Sequence, residues 1–187
     1  MDMKEHILDI AQRLIQQRGV NGFSYADIAR EIGISKASLH HHFATKTDLV
    51  SRLMDRYTDQ LAAYLAQVDR TAASALDKLR AYCDLYRSSL DTQRICMGGM
   101  LSAEAITLDE RIRPQLVRFF ELQRHWLTDV LENGRAQGQL SAHGAADQDA
   151  CTVIAALQGA LVMSRAAGTA QFFDQTSEGL LHRLQTQ

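Results

Sequence analysis

SYADIAREIGISKASLHHHF, residues 24–43, is the stretch that decides the fold, because it contains the signals for two short helices and the turn between them. Ser24 and Ser35 each stand before a helical run, where a serine side chain caps free backbone N–H groups. Asp27 occupies the capping-box position three residues after Ser24. Gly33 separates the two runs at a place where glycine ends a helix. The pattern of helix, glycine turn and helix predicts a helix-turn-helix motif.

Three consecutive histidines, residues 40–42, raise the question of a metal site. Successive side chains on a helix are rotated by about 100°, so three adjacent imidazoles cannot share one ion. Metal-binding pairs on a helix lie at i and i+4, and no suitable ligand lies at that spacing here. We interpret the run as a helix whose Leu39 and Phe43 face the core, while the Lys36 side and the first two histidines face outward. That face would enter the major groove of DNA, the alternative being a solvated polar surface.

The rest of the chain predicts more helices and no strand. Its 187 residues include one proline and few aromatic residues (6%), and apolar residues recur at helical spacing. A fourth helix is predicted over about residues 46–65, and the last two over about 147–167 and 171–184. We expect an all-α protein, with a three-helix helix-turn-helix domain over residues 1–46 and a larger helical domain over 47–187.

Charge by itself does not point to nucleic acid. The net charge is −2, with 8 Lys and Arg against 7 Asp and Glu in residues 1–56 and 12 against 15 in the remainder. The first segment is therefore only the less acidic end of the chain. Such a balance is far from that of a strongly basic domain.

The sequence lacks the motifs of enzymes, metal sites and secreted proteins. Cys83, Cys96 and Cys151 are an odd, widely spaced set that makes neither a disulfide framework nor a zinc motif. No nucleophile–base spacing or glycine-rich phosphate loop supports an enzyme, and we expect neither a cofactor nor a metal ion. No run approaches the roughly 18 apolar residues of a membrane span, and the charged N-terminus lacks an apolar leader. We therefore expect a soluble, cytoplasmic protein with no membrane partner.

Residues 19–50, GVNGFSYADIAREIGISKASLHHHFATKTDLV, resemble the DNA-binding domain of the TetR/AcrR family of bacterial transcriptional regulators. The resemblance covers roughly residues 4–52. Two positions depart from the family's pattern, with Ala37 where the family often has glycine or proline and His40 where it usually has tyrosine. The positions that match are Ile28-Ala29, Gly33-Ile34-Ser35, Leu39, His42-Phe43, Lys46 and Leu49.

The resemblance implies a set of contacts with a double-stranded DNA operator. It assigns Ser24 and Tyr25 to phosphates at the start of the second helix, and Lys46 to a phosphate from the head of the fourth. Helix N-termini and cations are chemically suited to phosphate. The alternatives are a partly buried aromatic at Tyr25 and a solvated lysine at Lys46. On the third helix the resemblance places Lys36, Ser38 and His40 in the groove and His41 at a phosphate.

A dimer is expected because a domain with so few cations should bind DNA weakly as one copy. Two copies would engage half-sites about 34–36 Å apart, or a multiple of that distance. The last two helices are the predicted contact between copies. VIAALQGALVMSRAAG, residues 153–168, is apolar on most sides and carries small residues at Ala155, Gly159 and Ala160. The alternative is a core helix buried within one copy.

The second domain is implied by the resemblance to be a sensor that binds a small-molecule effector. Such a pocket would be mostly apolar with a few polar groups. A ligand would release DNA if it favours the mis-spaced form, in which the recognition helices of the two copies are wrongly spaced for DNA. For any single candidate the alternative is an ordinary core position. The predicted ligand-binding residues are Tyr82, Tyr86, Cys96, Met100, Glu104, Trp126 and Arg165.

Cys96 is singled out by a finer resemblance. ICMGGMLSAE, residues 95–104, is similar to a segment in a branch of the family in which some members respond to electrophiles or oxidants through the cysteine. A position near a helix start, with Arg94 nearby, would favour the thiolate of Cys96. An inert buried cysteine is the preferred interpretation.

The function that follows is a homodimeric repressor, released from a pseudo-palindromic operator by a small, largely apolar or electrophilic ligand. An enzyme has no support in the motifs. A helix-turn-helix protein that only bends or scaffolds DNA is disfavoured by the large second domain. The alternative of an activator stays open, because the effect of a bound regulator on transcription depends on where the operator lies relative to a promoter.

Overall fold

The computed structural model describes residues 2–141 and 144–185. Over those ranges the chain forms nine α-helices and one 3-10 turn, Glu110–Ile112, with no named strand, so the all-α prediction is confirmed. The helices are α1 Met3–Arg18, α2 Tyr25–Ile32, α3 Lys36–His42, α4 Lys46–Thr71, α5 Ala75–Asp91, α6 Met97–Ala103, α7 Arg113–Ala136, α8 Ala146–Ala167 and α9 Gln171–Leu184.

The helix boundaries follow local signals closely. Helix α9 has the predicted bounds, whereas α4 extends to Thr71, about two turns beyond the predicted end. No glycine or proline interrupts residues 46–71. The next helix, α5, begins after Ser74, whose side chain caps it by accepting a hydrogen bond from Asp77 N–H. Asp109 caps the short 3-10 turn, and α7 begins directly after that turn at Arg113.

The chain divides into two compact units. The first comprises Met1–Asp59 and Met97–Phe119, so it takes in α6 and the start of α7 in addition to the helix-turn-helix. The predicted boundary at 46/47 does not coincide with this division, because α4 continues without a break from Lys46. The core of the first unit is formed by fully or almost fully buried apolar side chains: Ile7, Ala11, Leu14, Ile15, Ile28, Leu39, Leu49, Leu53 and Leu101.

Helix α6 packs on α1 within the first unit and comes close to α7 at Gly98. A Cβ on Gly98 would lie 2.5 Å from Cε1 of Phe119, a distance that real Cβ atoms do not tolerate. The Phe119 ring is buried and stacks on Tyr57, with ring centroids 5.3 Å apart. Glycine is therefore required at this position by close packing rather than by a turn.

The second unit comprises Gln60–Cys96 and Phe120–Gln187. Within it α8 packs along α9, and α5 contacts both. Its interior is mostly apolar, and the described residues there include two buried polar side chains, Gln123 and Ser164. The buried apolar residues include Leu79, Tyr82, Tyr86, Leu127, Leu131, Leu157, Leu161 and Phe173.

Helix α8 is the one helix of the described chain that is long and apolar enough to cross a membrane by length and composition. This contrasts with the expectation that no segment approaches such a span. The core helix of a soluble protein has the same composition, so the feature is weak evidence for a membrane. Only 33% of its apolar window is buried within the chain, which leaves an exposed apolar face.

Candidate nucleic-acid interface

The helix-turn-helix is built from the local contacts that its sequence predicts. The backbone N–H and the hydroxyl of Ser24 both donate to Asp27 Oδ2, at 2.8 and 2.7 Å. These hydrogen bonds lower the pKa of the Asp27 carboxyl. Gly33 ends α2 in the left-handed region with φ of 82°, and Ser35 Oγ accepts from Ser38 N–H at the start of α3.

Helix α3 presents its polar side outward, as predicted. Leu39 is fully buried and Phe43 is 7% exposed, and both are anchored in the core of the first unit. Lys36, His40 and His41 are exposed on the same helix. This surface, defined by those three residues together with the half-buried Ser38, is called the α3 face below.

His40 is held in place by two neighbours in spite of its exposure. Its Nδ1 lies 3.1 Å from the carbonyl oxygen of Ala44. Its ring lies 4.8 Å from the ring of Tyr25, measured between centroids. The third helix of the motif therefore offers a fixed imidazole rather than a freely rotating one.

Tyr25 is placed differently from the implied phosphate contact. The side chain is 6% exposed, and its hydroxyl donates to the carbonyl oxygens of Phe43 and Thr45. Burial, with a smaller contribution from the charge of Asp48, raises the pKa of Tyr25 to about 12. The geometry corresponds to the alternative of a buried aromatic, and it ties the start of α2 to the turn between α3 and α4.

Lys46 also has partners inside the first unit. Its Nζ donates to the carbonyl oxygens of Val20 and Phe23 and lies 4.1 Å from the centroid of the Phe23 ring. Burial lowers the pKa of Lys46, and the nearby carboxylate of Glu104 opposes that shift. The ammonium binds the turn before α2, so this is not the alternative of a plainly solvated lysine, and the implied phosphate contact stays a prediction.

Glu104 holds the same turn from its other side. Its carboxylate accepts hydrogen bonds from Val20 N–H, at 2.5 Å, and from the backbone N–H and side-chain amide of Asn21, at 3.2 and 3.1 Å. Gly19 permits this approach, since a Cβ there would lie 2.7 Å from Glu104 Oε1. The sequence predicted Glu104 as a ligand-binding residue, whereas in the structure its carboxylate binds the turn before α2. Together Glu104 and Lys46 form what we call the turn clamp.

The remaining predicted ligand residues are divided between the two units. Met100 belongs to the first unit with Glu104, whereas Tyr82, Tyr86, Cys96, Trp126 and Arg165 belong to the second. Arg165 is exposed on α8, and Cys96 is only 5% exposed. Reactive cysteines are ordinarily partly accessible, so the burial of Cys96 favours the inert interpretation.

Tyr82 and Tyr86 lie together in the interior of the second unit. Both hydroxyls donate to Oε1 of Gln123, Tyr82 at 2.7 Å, and Gln158 Nε2 donates to the Tyr86 hydroxyl at 3.3 Å. Burial raises the pKa of Tyr82. Gln123 was not among the predicted site residues. Its position in the apolar stripe of α7, four residues before the buried Leu127, was the available sign of a buried polar group.

Trp126 lines a surface cleft of the second unit rather than a closed apolar pocket. The cleft has a volume of about 460 Å³ and lies between the end of α4, the start of α5 and α7. Asp69 accepts from Trp126 Nε1 at 3.0 Å and from Lys78 Nζ at 2.6 Å. Most of the lining is polar, in contrast with the mostly apolar pocket expected from the sequence: Asp69, Ser74, Lys78, Asp129, Asn133, Gln137 and Gln139, with Trp126, Val130 and small residues.

Comparison with known proteins identifies two matching domains. Residues 7–53 match the bacterial regulatory proteins of the tetR family, and residues 75–180 match the tetracyclin repressor-like C-terminal domain. Among curated relatives, the HTH-type transcriptional repressor NemR of Escherichia coli K12 is 26% identical over 97% of this chain and 92% of its own length. The repressor KstR2 of Mycolicibacterium smegmatis is 29% identical over 72% of this chain and 66% of its own.

A solved structure extends the similarity to the whole chain. The TetR-family transcriptional regulator from Agrobacterium tumefaciens is 35% identical, with a TM-score of 0.94 over 98% of this chain and 97% of that one. The resemblance seen in residues 19–50 is thereby confirmed, and the C-terminal match shows that it is not confined to the helix-turn-helix. This chain belongs to the tetR family of bacterial regulatory proteins, and it is a DNA-binding transcriptional regulator rather than an enzyme.

Proposed function

We propose that the protein is a cytoplasmic, homodimeric repressor that leaves a pseudo-palindromic operator when a small, largely apolar or electrophilic ligand binds. The observation that carries the proposal is the α3 face, an exposed cationic and imidazole surface supported from behind by buried Leu39 and Phe43. A rigid helix with a polar outer face is the element that such motifs insert into the major groove.

The proposed DNA contacts are those of the α3 face. Lys36, Ser38 and His40 face the bases, and His41 faces a phosphate. Ser24 is exposed, but both of its donors are used by Asp27, so a phosphate contact there would replace an existing hydrogen bond. Tyr25 and Lys46, whose polar atoms bind carbonyl oxygens within the unit, position α2 and α3 for that contact.

The proposed contact between two copies is the outer side of α8 and α9. Val162, Met163 and Phe172 are 58%, 57% and 47% exposed there. A Cβ on Gly159 would meet nothing within 4 Å, so this part of α8 leaves room for close approach by another helix. Large apolar side chains exposed together in this way favour a protein interface over solvent.

The effector is proposed to bind in the interior of the second unit. The tyrosine–glutamine group of Tyr82, Tyr86 and Gln123 supplies the few polar atoms that orient a ligand in an apolar surrounding. A ligand with a hydroxyl or carbonyl group would exchange hydrogen bonds with these side chains. Such a ligand releases DNA only to the extent that it binds the mis-spaced form more tightly.

Selection from a random DNA pool tests the proposed function. The wild-type protein is expected to enrich a pseudo-palindrome whose half-sites are one helical turn, or a multiple of it, apart. Lys36→Ala should weaken binding to that sequence about 5-fold or more, because a cation in the groove is lost. Arg70→Ala removes an equal charge from an exposed position on α4 and should leave the affinity within about 2-fold. Enrichment of no palindrome, or equal effects of the two substitutions, would show the proposal to be wrong.

The electrophilic part of the proposal is tested with N-ethylmaleimide as the probe. The reagent is titrated into the protein–operator complex and release is followed by fluorescence anisotropy. Cys151 is exposed and Cys96 is buried, so Cys151→Ser is the control for modification of a surface thiol. Release that is lost in Cys96→Ser and kept in Cys151→Ser supports an electrophile sensor. If Cys96→Ser responds like the parent, only the apolar-ligand form of the proposal stands.

A further inference from the structure

The contact between His40 and Ala44 determines where the hydrogen of the imidazole lies. Nδ1 of His40 is 3.1 Å from the carbonyl oxygen of Ala44, and a carbonyl oxygen accepts hydrogen bonds but does not donate them. Nδ1 must therefore carry the hydrogen. In the neutral ring this leaves Nε2 as an acceptor, because only one of the two nitrogens is protonated.

Tyr25 keeps the ring in this orientation. The Tyr25 ring packs beside His40, and it is itself immobilised by burial and by its hydroxyl contacts with the carbonyl oxygens of Phe43 and Thr45. Ala44, which accepts from His40, lies between those two residues in the chain. The imidazole is thus fixed against a short piece of backbone that is tied down on both sides.

From these contacts we infer that His40 reads an amino group in the major groove, that is, adenine N6 or cytosine N4. This inference rests on the proposed function, since it requires that α3 lie in the groove. Among the base edges exposed there, only these two amino groups donate hydrogen bonds. Guanine presents only acceptors at N7 and O6, and thymine an acceptor and a methyl group, so neither can satisfy an Nε2 lone pair.

Lys36 supplies the complementary chemistry one helical turn earlier. It lies four residues before His40 on the α3 face, about 6 Å away along the helix axis, and its ammonium can only donate. It therefore suits guanine, whose groove edge only accepts. The α3 face is expected to combine one position that requires a base acceptor with another that requires a base donor.

Selection with matched variants tests the inference. Random-pool selection is run at about pH 8, at which histidine side chains are ordinarily neutral, with wild type, His40→Phe and His41→Phe. Phenylalanine keeps a ring of similar shape without nitrogen. The wild type should prefer one base pair, read through the amino group of its adenine or cytosine, at one position of each half-site, and His40→Phe should lose the preference there alone. His41→Phe, at the neighbouring exposed histidine, should bind DNA more weakly through loss of its phosphate contact but keep the base preference, because phosphate contacts carry no sequence information.

An atomic substitution in the DNA isolates the single hydrogen bond. In the selected operator, the adenine is replaced by purine, or the cytosine by 2-pyrimidinone, so that only the amino group is lost. Wild type should bind this DNA about 3- to 10-fold more weakly, the effect of one hydrogen bond. His40→Phe should bind both DNAs equally. In the free protein, ¹⁵N NMR should show Nε2 of His40 as the unprotonated nitrogen.

Each outcome has a distinct meaning. If wild type selects no palindrome, the proposed function fails. If it selects a palindrome in which no position changes in His40→Phe, or if removal of the amino group at the changed base pair leaves wild-type binding unaltered, the function stands and this inference is overturned. Protonated Nε2 in the NMR spectrum of the neutral ring would overturn it as well.

Discussion

Two charged side chains of the first unit form hydrogen bonds with backbone groups of one turn. Glu104 accepts from the N–H groups of Val20 and Asn21, and Lys46 donates to carbonyl oxygens of the same turn. A hydrogen bond in which the donor or the acceptor is charged is stronger than one between two neutral groups. The turn clamp therefore places a carboxylate and an ammonium, both distant in sequence from the turn, directly before the helix that supports α3.

Removal of the carboxylate should destabilise the first unit. Glu104→Ala leaves the N–H groups of Val20 and Asn21 without their acceptor, and we expect the free energy of unfolding to fall by about 1–3 kcal/mol. Glu104→Gln should lose less, because one amide oxygen still accepts. Urea denaturation measures both, with Glu110→Ala as a control at an exposed glutamate. Equal stability of Glu104→Ala and Glu110→Ala would contradict the clamp.

At the scale of helices, α2 and α3 are short, so their ends decide their stability. Isolated helices of 7 or 8 residues are not stable in water. Capping by Ser24 with Asp27 and by Ser35 satisfies N–H groups that such helices leave free. Close packing has the corresponding role for α6, where Gly98 lets the helix reach Phe119.

Because of the cap of α2, the stability of the folded protein should depend on pH. The pKa of Asp27 is lowered in the folded protein from its usual value of 3.8, so a proton binds the unfolded chain more readily. The stabilisation is present above that usual value and is lost as the pH falls through the lower folded pKa. Asp27→Asn should be less stable than the parent at neutral pH and approach it as the pH falls below 3.8 and through the lowered pKa of the folded protein.

Thermal unfolding across this pH range measures the effect. Glu132→Gln, at an exposed carboxylate of α7, is the control and should follow the parent at every pH. A constant difference between Asp27→Asn and the parent, from neutral to strongly acidic solution, would show that the carboxylate of Asp27 is not responsible.

Packing at Gly98 can be separated from backbone conformation. Gly98→Ala should lower the free energy of unfolding by about 1–3 kcal/mol, because its Cβ would press on the Phe119 ring. Gly33→Ala should cost about 1–2 kcal/mol for a different reason, the left-handed φ of 82° in open space. The double variant Gly98→Ala with Phe119→Leu should recover part of the loss through added room, whereas Phe119→Leu should not rescue Gly33→Ala. Equal rescue of the two, measured by denaturation, would contradict the distinction.

The whole molecule is expected to work as a pair of chains. The exposed apolar residues of α8 and α9 are unusual for a surface that remains in water. A pair of α3 faces would combine two weak contacts with DNA into one strong contact, since the second engages at high effective concentration. The apolar composition of α8 is then explained by an interface.

A charge on this surface should separate the copies. Val162→Lys is expected to shift the protein to a monomer in analytical ultracentrifugation and to weaken operator binding by more than about 100-fold. Val117→Lys is the matched control, because Val117 on α7 is 56% exposed and Val162 58%. A monomeric wild-type protein, or equal behaviour of the two variants, would contradict the dimer proposal.

Features that depend on neighbouring residues were predicted from the sequence, whereas contacts between distant segments were not. Caps at Ser24 and Ser35, the glycine turn at Gly33 and the burial of Leu39 depend on residues within a few positions, and they were predicted. The partners of Tyr25, Lys46 and Glu104 lie 18 to 84 residues away in the chain, and the sequence did not predict these contacts. No local pattern distinguishes a lysine that binds a phosphate from one that binds a carbonyl oxygen.

Helical periodicity, capping residues and the polar side of α3 determined the all-α fold and the helix-turn-helix from the sequence alone, because each is a property of neighbouring residues. Only the tertiary structure decided that Glu104 serves the turn before α2, that Gln123 joins two buried tyrosines, and that Nδ1 of His40 faces the carbonyl oxygen of Ala44. The reason is physical: which polar atom finds which partner depends on packing between distant segments, and the alternation of apolar and polar residues does not encode it.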